Sequence, residues 1–235
     1  MSKVFQLRQF SIEQNASAMK IGVDAMLLGA YAGKQVHNKI LDAGCGTGLI
    51  GLMLAQKFDS ANITLVEIDK NAADEAKSNV HNSPFRERCN VYHSDFISWN
   101  TDDTYDLIVS NPPFHLEDKP SPSEERALAR STSLDGLDEW IAKSKSLLHK
   151  DGLFQLILPS SLLGDIDDIA NSHNLWLTEE FRVLPKPGAL ANRVIVSYTQ
   201  DPVKTLRKQI HVRDADGSYS KDYKELTKEF YSKAI

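Results

Sequence analysis

Two short segments contain residue types and spacings that could perform chemistry. The first, residues 42–48 (DAGCGTG), places three alternate glycines, Gly44, Gly46 and Gly48, after an acid. Glycines let a ligand approach the backbone closely, and the start of a following helix offers free N–H groups. The second, residues 111–114 (NPPF), combines an amide, two prolines and an aromatic ring. The first segment could therefore hold a small cofactor, and the second a planar substrate.

The glycine segment is compatible with two kinds of cofactor. Gly46, Gly48 and Gly51 match the spacing G-x-G-x-x-G of dinucleotide-binding loops, and Glu67 lies where a ribose-binding acid would be expected. A nicotinamide-dependent dehydrogenase is therefore one alternative. Asp42 favours a different ligand, because a carboxylate repels a pyrophosphate but attracts the amino group of a methionine moiety.

The NPPF segment has the groups needed to activate an amine on an aromatic ring. Such an amine is a poor nucleophile because its lone pair is delocalised into the ring. Two acceptors aimed at its N–H groups, the Asn111 side-chain oxygen and the Pro112 carbonyl, would favour a pyramidal nitrogen. Phe114 offers a face for base stacking. The segment predicts a clamp for a planar ring amine, and a strand stop with an Asn cap is the simpler alternative.

The elements that must position these segments alternate between strands and helices. This order predicts an α/β, Rossmann-like fold: a mostly parallel seven-stranded sheet with an antiparallel edge strand and helices on both faces. The glycine loop follows the first core strand and NPPF follows the fourth, so both lie at the carboxyl edge of the sheet. Predicted core strands occupy residues 39–42, 63–67, 89–93, 105–109, 153–158, 176–183 and 193–198.

The length and the order of elements indicate one domain over residues 1–235. Within it we expect an N-terminal extension (1–36), a Rossmann-like core (37–200) and a C-terminal strand and helix extension (201–235). Residues 117–132, rich in Pro, Ser and charge, are either a lid or a mobile insertion.

Composition restricts the compartment and the partners. No apolar run reaches the length of a membrane span, and Cys45 and Cys89 make neither a metal-ligand spacing nor a disulfide framework. We expect a cytoplasmic protein without a metal. The net charge is −5, yet residues 186–235 hold ten Lys and Arg against six Asp and Glu. This asymmetry favours a small, locally recognised RNA over long non-specific duplex binding.

The glycine segment resembles the S-adenosylmethionine loop of class I methyltransferases. That resemblance implies S-adenosylmethionine as the cofactor, with Glu67 accepting from the ribose hydroxyls and Asp95 from the adenine amino group. A turn cap is the alternative role for Asp95. The implied cofactor-binding residues are Asp42, Gly44, Gly46, Gly48, Glu67, Asp95 and Asn111.

The NPPF segment is typical of methyltransferases that act on amino nitrogens of adenine, guanine or glutamine. Residues 5–32, 126–130 and 183–189 resemble the bacterial enzymes that methylate N6 of adenine-37, beside the anticodon of tRNA-Val. The resemblance implies tRNA adenine-N6 methylation at the anticodon loop, with the catalytic segment Asn111, Pro112 and Phe114. We expect a monomer, with RNA contacts from Arg126, Arg130 and the basic C-terminal segment.

Four other functions remain as alternatives. His115 follows NPPF as it does in rRNA guanine-N2 methyltransferases, although those resemble a duplicated and longer domain. Protein glutamine-N5 methyltransferases carry a helical N-terminal domain, whereas only about 38 residues precede the first core strand here. A DNA adenine methyltransferase would need an added target-recognition region. A non-enzymatic binding module would have lost the loop or the clamp.

Overall fold

A computed structural model of the chain describes residues 4–14, 22–33, 35, 37–112 and 136–233. Six α-helices lie within these ranges: α1 (Val23–Tyr31), α2 (Leu49–Lys57), α3 (Lys70–His81), α4 (136–147), α5 (Leu163–Ser172) and α6 (Lys221–Thr227). The ten strands are β1 (Val4–Gln6), β2 (Ser11–Glu13), β3 (Lys39–Ala43), β4 (Asn62–Glu67), β5 (Cys89–His93), β6 (Tyr105–Ser110), β7 (Leu148–Pro159), β8 (Trp176–Leu184), β9 (Arg193–Thr199) and β10 (Leu206–His211).

Eight of the strands form one sheet in the order β10-β8-β9-β7-β6-β3-β4-β5, and β1 and β2 form a separate hairpin. All paired neighbours in the sheet are parallel except β9, which is antiparallel to both β7 and β8. The predicted α/β fold with a mostly parallel sheet is confirmed. None of the helices in the described part of the chain is long and apolar enough to cross a membrane.

The predicted strand count and the predicted edge were wrong in detail. The sheet has eight strands rather than seven, because β10 of the C-terminal segment pairs with β8, from Leu206 opposite Glu179 to His211 opposite Leu184. This pairing makes β10 the edge strand. The antiparallel strand β9 therefore lies inside the sheet, where β7 and β8 satisfy both sides of its backbone.

Burial of both sheet faces explains why the core strands are apolar runs without polar alternation. Successive side chains of a strand point to opposite faces, and those of β3 and β6 enter two different hydrophobic clusters. Ile40 and Leu107 belong to one cluster, Leu41 and Ile108 to the other, and all four are fully buried. Strands that are covered on both sides have this composition in parallel sheets.

Candidate active site

The glycine loop turns back over the neighbouring strand immediately after β3 ends. The backbone N–H groups of Gly44 and Cys45 both donate to the Val66 carbonyl of β4, at 2.9 and 3.0 Å. Gly44, Gly46 and Gly48 have φ angles of 72°, 55° and 85°, in the left-handed region that favours glycine. A β-carbon on Gly46 would meet no protein atom within 4 Å, so the loop presents bare backbone to open space.

Glu67, at the end of β4, braces this loop. Its Oε2 accepts from the Gly46 N–H at 2.7 Å, and its Oε1 accepts from the Asp69 N–H at 2.8 Å. The side chain is buried apart from about a tenth of its surface. Each carboxylate oxygen can still accept a further hydrogen bond, so the group can serve a ligand and the loop together.

Asp42 is buried beneath the glycine loop and does not line the cavity beside it. The carboxylate is fully buried, and its Oδ2 accepts from the Gly51 N–H in the first turn of α2 at 2.8 Å. Its Oδ1 has no hydrogen-bond partner among the described residues. Burial raises the pKa of Asp42 to about 7, opposed by the Gly51 N–H and reinforced by the charge of Glu67. The loop is thus built over a carboxylate whose charge is costly to maintain.

The second predicted segment reaches the same place from β6. The Ser110 hydroxyl donates to the Ala43 carbonyl at 2.7 Å, which fastens the ends of β6 and β3 together. Asn111 follows, and it lines a cavity of about 150 Å³ together with Gly44 and Gly46. Pro112 is buried, whereas Phe114 lies outside the described residues. The two segments selected from the sequence therefore meet at one cavity.

The N-terminal segment supplies a further wall that the sequence analysis missed. Gln14 lines the cavity, and its amide donates to the Thr47 hydroxyl at 3.2 Å. The buried Asn79 of α3 accepts from the Glu13 N–H at 2.9 Å and donates to the Thr47 carbonyl, also at 2.9 Å. One asparagine thus connects the hairpin to the glycine loop, across a sequence separation that no local pattern reveals.

Asp24 is the second wall residue that the sequence analysis missed. It lies in the first turn of α1, lines the cavity, and accepts at Oδ2 from Arg193 Nε at 2.8 Å. Arg193 begins β9, which pairs with the carboxyl end of β7. The ion pair therefore connects the N-terminal segment to the far half of the sheet and adds a carboxylate to the cavity wall.

The carboxyl ends of β4 and β5 offer a polar group and an apolar face beside Glu67. Asp95 is half-buried, and its Oδ1 accepts from the Ile97 N–H at 3.1 Å, so the turn-cap geometry weighed as its alternative role is present. Ile68 is 64% exposed, and its carbonyl lies 3.1 Å from a ring nitrogen of His93. An apolar side chain held at a sheet edge suits a flat ligand ring, and the sequence analysis did not identify it.

The cysteine in the loop is poorly suited to act as a nucleophile. Cys45 lines the cavity, but burial raises the pKa of its thiol well above the ordinary value, and the charges of Asp42 and Glu67 act in the same direction. The thiol therefore stays protonated, and a thiol is a weak nucleophile. The polar groups of the site include backbone N–H groups, carboxylates and the amide side chains of Gln14 and Asn111.

Comparison with known proteins assigns the chain to a family. Residues 17–165 match the model of the methyltransferase small domain. A protein of Bacteroides thetaiotaomicron is 36% identical over 97% of this chain and 96% of its own length, and one of Actinobacillus pleuropneumoniae is 37% identical over 98% of both. Both are named tRNA1(Val) (adenine(37)-N6)-methyltransferase. The chain belongs to this family of methyltransferases. The resemblance predicted from the glycine loop, NPPF and the terminal segments is confirmed.

Solved structures show the same fold at low sequence identity. A protein of Agrobacterium tumefaciens described as a predicted O-methyltransferase superimposes with a TM-score of 0.71 at 20% identity, covering 91% of this chain and 98% of that one. A TehB-like, S-adenosylmethionine-dependent methyltransferase of Corynebacterium glutamicum gives 0.53 at 21% identity, covering 78% and 90%. These neighbours establish the methyltransferase fold, whereas the substrate has to be argued from the site.

Proposed function

We propose that this protein transfers a methyl group from S-adenosylmethionine to N6 of adenine-37 in the anticodon loop of tRNA1(Val), as a monomer. The observation that carries the proposal is the meeting of Asn111 with Gly44 and Gly46 at one cavity. A cofactor loop and an amine clamp are both needed for methyl transfer to a base. The names of the full-length relatives support adenine-37 as the target.

The residues around the cavity fit S-adenosylmethionine better than a dinucleotide. Asp24 lines the wall, and Asp42 and Glu67 lie directly behind the loop. These carboxylates complement the ammonium and sulfonium charges of S-adenosylmethionine and would repel a pyrophosphate. Asp42 is fully buried and does not line the cavity, so it would act on the ligand through its charge and not through direct contact.

The size of the cavity indicates which end of the cofactor it takes. About 150 Å³ is less than the roughly 300–1,000 Å³ of a pocket for a drug-sized ligand. We therefore place the methionine end in the cavity and the adenosine along the open edge outside it. There Glu67 would accept from the ribose hydroxyls, Asp95 from the adenine amino group, and Ile68 would cover one face of the adenine.

When bound, S-adenosylmethionine supplies an electrophilic methyl group. Asn111 and Pro112 have to present an amine to that group in a reactive form. The Asn111 side-chain oxygen and the Pro112 carbonyl would accept from the two N–H groups of adenine N6, which directs the nitrogen lone pair towards the methyl group. The Ser110 hydroxyl keeps this corner beside the loop. Phe114 would stack on the base.

The test of this function is methyl transfer from labelled S-adenosylmethionine to bulk tRNA, rRNA and protein, followed by nucleoside analysis. We expect N6-methyladenosine in tRNA. A tRNA1(Val) transcript and its isolated anticodon stem-loop should both accept the label, and the same molecules with guanine at position 37 should not. Methylated guanine in rRNA or methylated glutamine in protein would overturn the proposal, as would cofactor binding without any transfer.

Glu67→Ala is expected to weaken S-adenosylmethionine binding by one to two decades. The change removes hydrogen bonds to a charged acceptor, worth roughly 1.5–3 kcal/mol, and it also releases the Gly46 N–H that positions the loop. Calorimetric titration measures the affinity, and a thermal melt checks that the variant is folded.

Glu87→Ala is the matched control, because Glu87 is an exposed acid. It lies just before β5, at the end of the sheet opposite to Glu67. Its cofactor affinity should equal that of the wild type. Equal affinity in folded Glu67→Ala would exclude Glu67 from the cofactor site. NAD should leave the melting temperature unchanged, and a strong shift would favour a dehydrogenase.

A further inference from the structure

The positive charge of the C-terminal segment is partly neutralised in the folded chain. Residues 186–235 carry an excess of four positive charges in sequence. Three cations of this segment form ion pairs with acids outside it, while one of its acids, Glu229, pairs with Arg8 outside it, so ion pairing lowers the excess from four to two. The three cation pairs are Arg193–Asp24 at 2.8 Å, Arg207–Glu180 at 3.0 Å and Lys208–Glu179 at 2.9 Å. The segment as a whole is therefore a poorer RNA-binding surface than its composition predicts.

The hairpin tip, residues 185–192 between β8 and β9, overlaps the start of this segment and carries the cation Lys186. Strand β9 is antiparallel to both β7 and β8, so β8 runs in the same direction as β7, and β7 is parallel to β6. The carboxyl end of β8 therefore lies at the same end of the sheet as the carboxyl end of β6. Arg193 pairs with Pro159, where β7 ends. With strands about 4.8 Å apart, the tip lies roughly 10–15 Å from Asn111 across the strands. It also projects beyond the end of β6, because Ser110 pairs with Leu156 of β7 whereas Arg193 pairs with Pro159.

The backbone of the hairpin tip is held firmly on both sides. Asn192 donates to the Val183 carbonyl at 3.1 Å, and its own carbonyl accepts from the Ser160 N–H at 3.2 Å. On the other side the Arg213 N–H donates to the Pro185 carbonyl at 3.1 Å. Pro185 and Pro187 further restrict the chain.

This rigid tip presents one apolar and one cationic side chain to solvent. Leu190 is 90% exposed, the highest value among the large exposed hydrophobic residues. Lys186 is exposed and has no ion pair with any residue in the described part of the chain. No acid occurs in residues 184–193, whereas the adjoining turn after β10 carries Asp214 and Asp216 beside Arg213. Within residues 184–193 all formal side-chain charge is therefore positive.

We propose that the hairpin tip 185–192 docks the nucleotides flanking the target base, with Leu190 packing against an unstacked base and Lys186 contacting a phosphate. This inference rests on the proposed function, because it takes the RNA to lie at the Asn111 edge. Proteins recognise single-stranded RNA loops by stacking splayed bases, mostly on aromatic side chains, and by neutralising phosphates. The tip offers an aliphatic side chain for apolar contact with a base and a cation for a phosphate, and its braced backbone loses little entropy on binding.

The test uses Leu190→Ser and Lys186→Gln in the full chain. Each is expected to raise the KM for the tRNA1(Val) transcript, and the Kd for its anticodon stem-loop by fluorescence anisotropy, about 3–10-fold. The value of kcat and the affinity for S-adenosylmethionine should not change. Lys186→Gln should also lower the slope of log Kd against log salt by about one.

Matched controls come from the opposite end of the sheet, where the parallel strands begin. Leu206 is 54% exposed at the amino end of β10, and Lys150 is exposed near the amino end of β7. Leu206→Ser and Lys150→Gln should leave both KM and Kd at the wild-type values. If they weaken RNA binding as much as the tip variants do, the effect is general and the docking assignment is wrong.

Other outcomes separate this inference from the proposed function. Wild-type methylation of tRNA with unchanged KM and Kd in both tip variants would overturn the inference and leave the function intact. A wild-type dimer that Leu190→Ser dissociates, with RNA binding unchanged, would show that a second copy covers the tip, and the inference would fail. Should the wild type methylate no tRNA, the stem-loop affinities of the variants still decide whether the tip binds RNA.

Discussion

Asn111→Ala is expected to lower kcat for tRNA methylation by a factor on the order of 10²–10³, with little change in KM. In the proposed mechanism the side-chain oxygen would strengthen its hydrogen bond as the amine becomes pyramidal, so it would act in the transition state more than in the ground state. The structure supports this role, since Asn111 follows the Ser110–Ala43 hydrogen bond and lines the cavity with Gly44. Single-turnover and steady-state rates with saturating tRNA measure the effect.

Three further variants make this expectation specific. Asn111→Asp still has an acceptor oxygen at this position, so it should keep more activity than Asn111→Ala. Phe114→Ala should lose about 1–3 kcal/mol of stacking, seen mainly as weaker RNA binding. Asn90→Ala, an exposed amide on the distant edge strand β5, should behave as the wild type. If Asn111→Ala methylates tRNA at the wild-type rate, the corner only ends a strand and the mechanism is wrong.

The sequence predicted those parts of the site that depend on local pattern. The strands β3, β4 and β6 can be recognised as apolar runs because both of their faces are buried. The glycine loop and the NPPF segment directly follow the ends of β3 and β6. A glycine loop after the first core strand and an amide corner after the fourth lie at the same end of a parallel sheet, and they meet because β3 and β6 are neighbours. The cavity shared by Gly44 and Asn111 is that meeting point.

The parts that could not be predicted depend on contacts between distant residues. Arg193 and Asp24 are separated by 169 positions, and Asn79 and Glu13 by 66. Composition also could not show that Arg207 and Lys208 form ion pairs, because it is the strand order that puts β10 beside the acids of β8, Glu179 and Glu180. These ion pairs depend on which strands are neighbours in the sheet, and the strand order cannot be read from a count of charged residues along the chain.

Asp42→Asn is expected to stabilise the fold at pH 8 and to weaken S-adenosylmethionine binding. Burial raises the pKa of Asp42 to about 7, against an ordinary value of 3.8. Between these values the folded chain keeps a proton that the unfolded chain has lost, so stability falls as the pH rises, and the full cost is present above pH 7. That cost is roughly 4 kcal/mol at most.

The stability of the variant follows from this pH window. Asparagine stays neutral, and its oxygen can still accept from the Gly51 N–H, while its buried NH₂ offsets part of the gain by about 1–3 kcal/mol. Asp42→Asn should therefore be more stable than the wild type at pH 8 by about 1–3 kcal/mol. At pH 5 it should be equal or less stable. Urea unfolding at the two pH values measures the difference.

Cofactor binding should respond in the opposite direction. A ligand with ammonium and sulfonium charges favours the ionised form of Asp42, so wild-type affinity should fall as the pH is lowered from 8 to 6, with proton release on binding near pH 7. Glu67 and Cys45 are the neighbouring titratable groups; burial keeps the Cys45 thiol protonated in this window. Asp42→Asn should lose about tenfold in affinity at pH 8 and most of the pH dependence.

A buried acid away from the cavity is the control for this last prediction. Glu180 of β8 is 3% exposed and pairs with Arg182 and Arg207 rather than with the loop. Glu180→Gln should leave the affinity for S-adenosylmethionine and its pH profile unchanged. If Asp42→Asn is instead less stable than the wild type at pH 8, and binds the cofactor with the wild-type pH profile, then Asp42 supports only the start of α2. Opposite signs in stability and affinity would show that the chain retains a costly buried charge because the cofactor requires it.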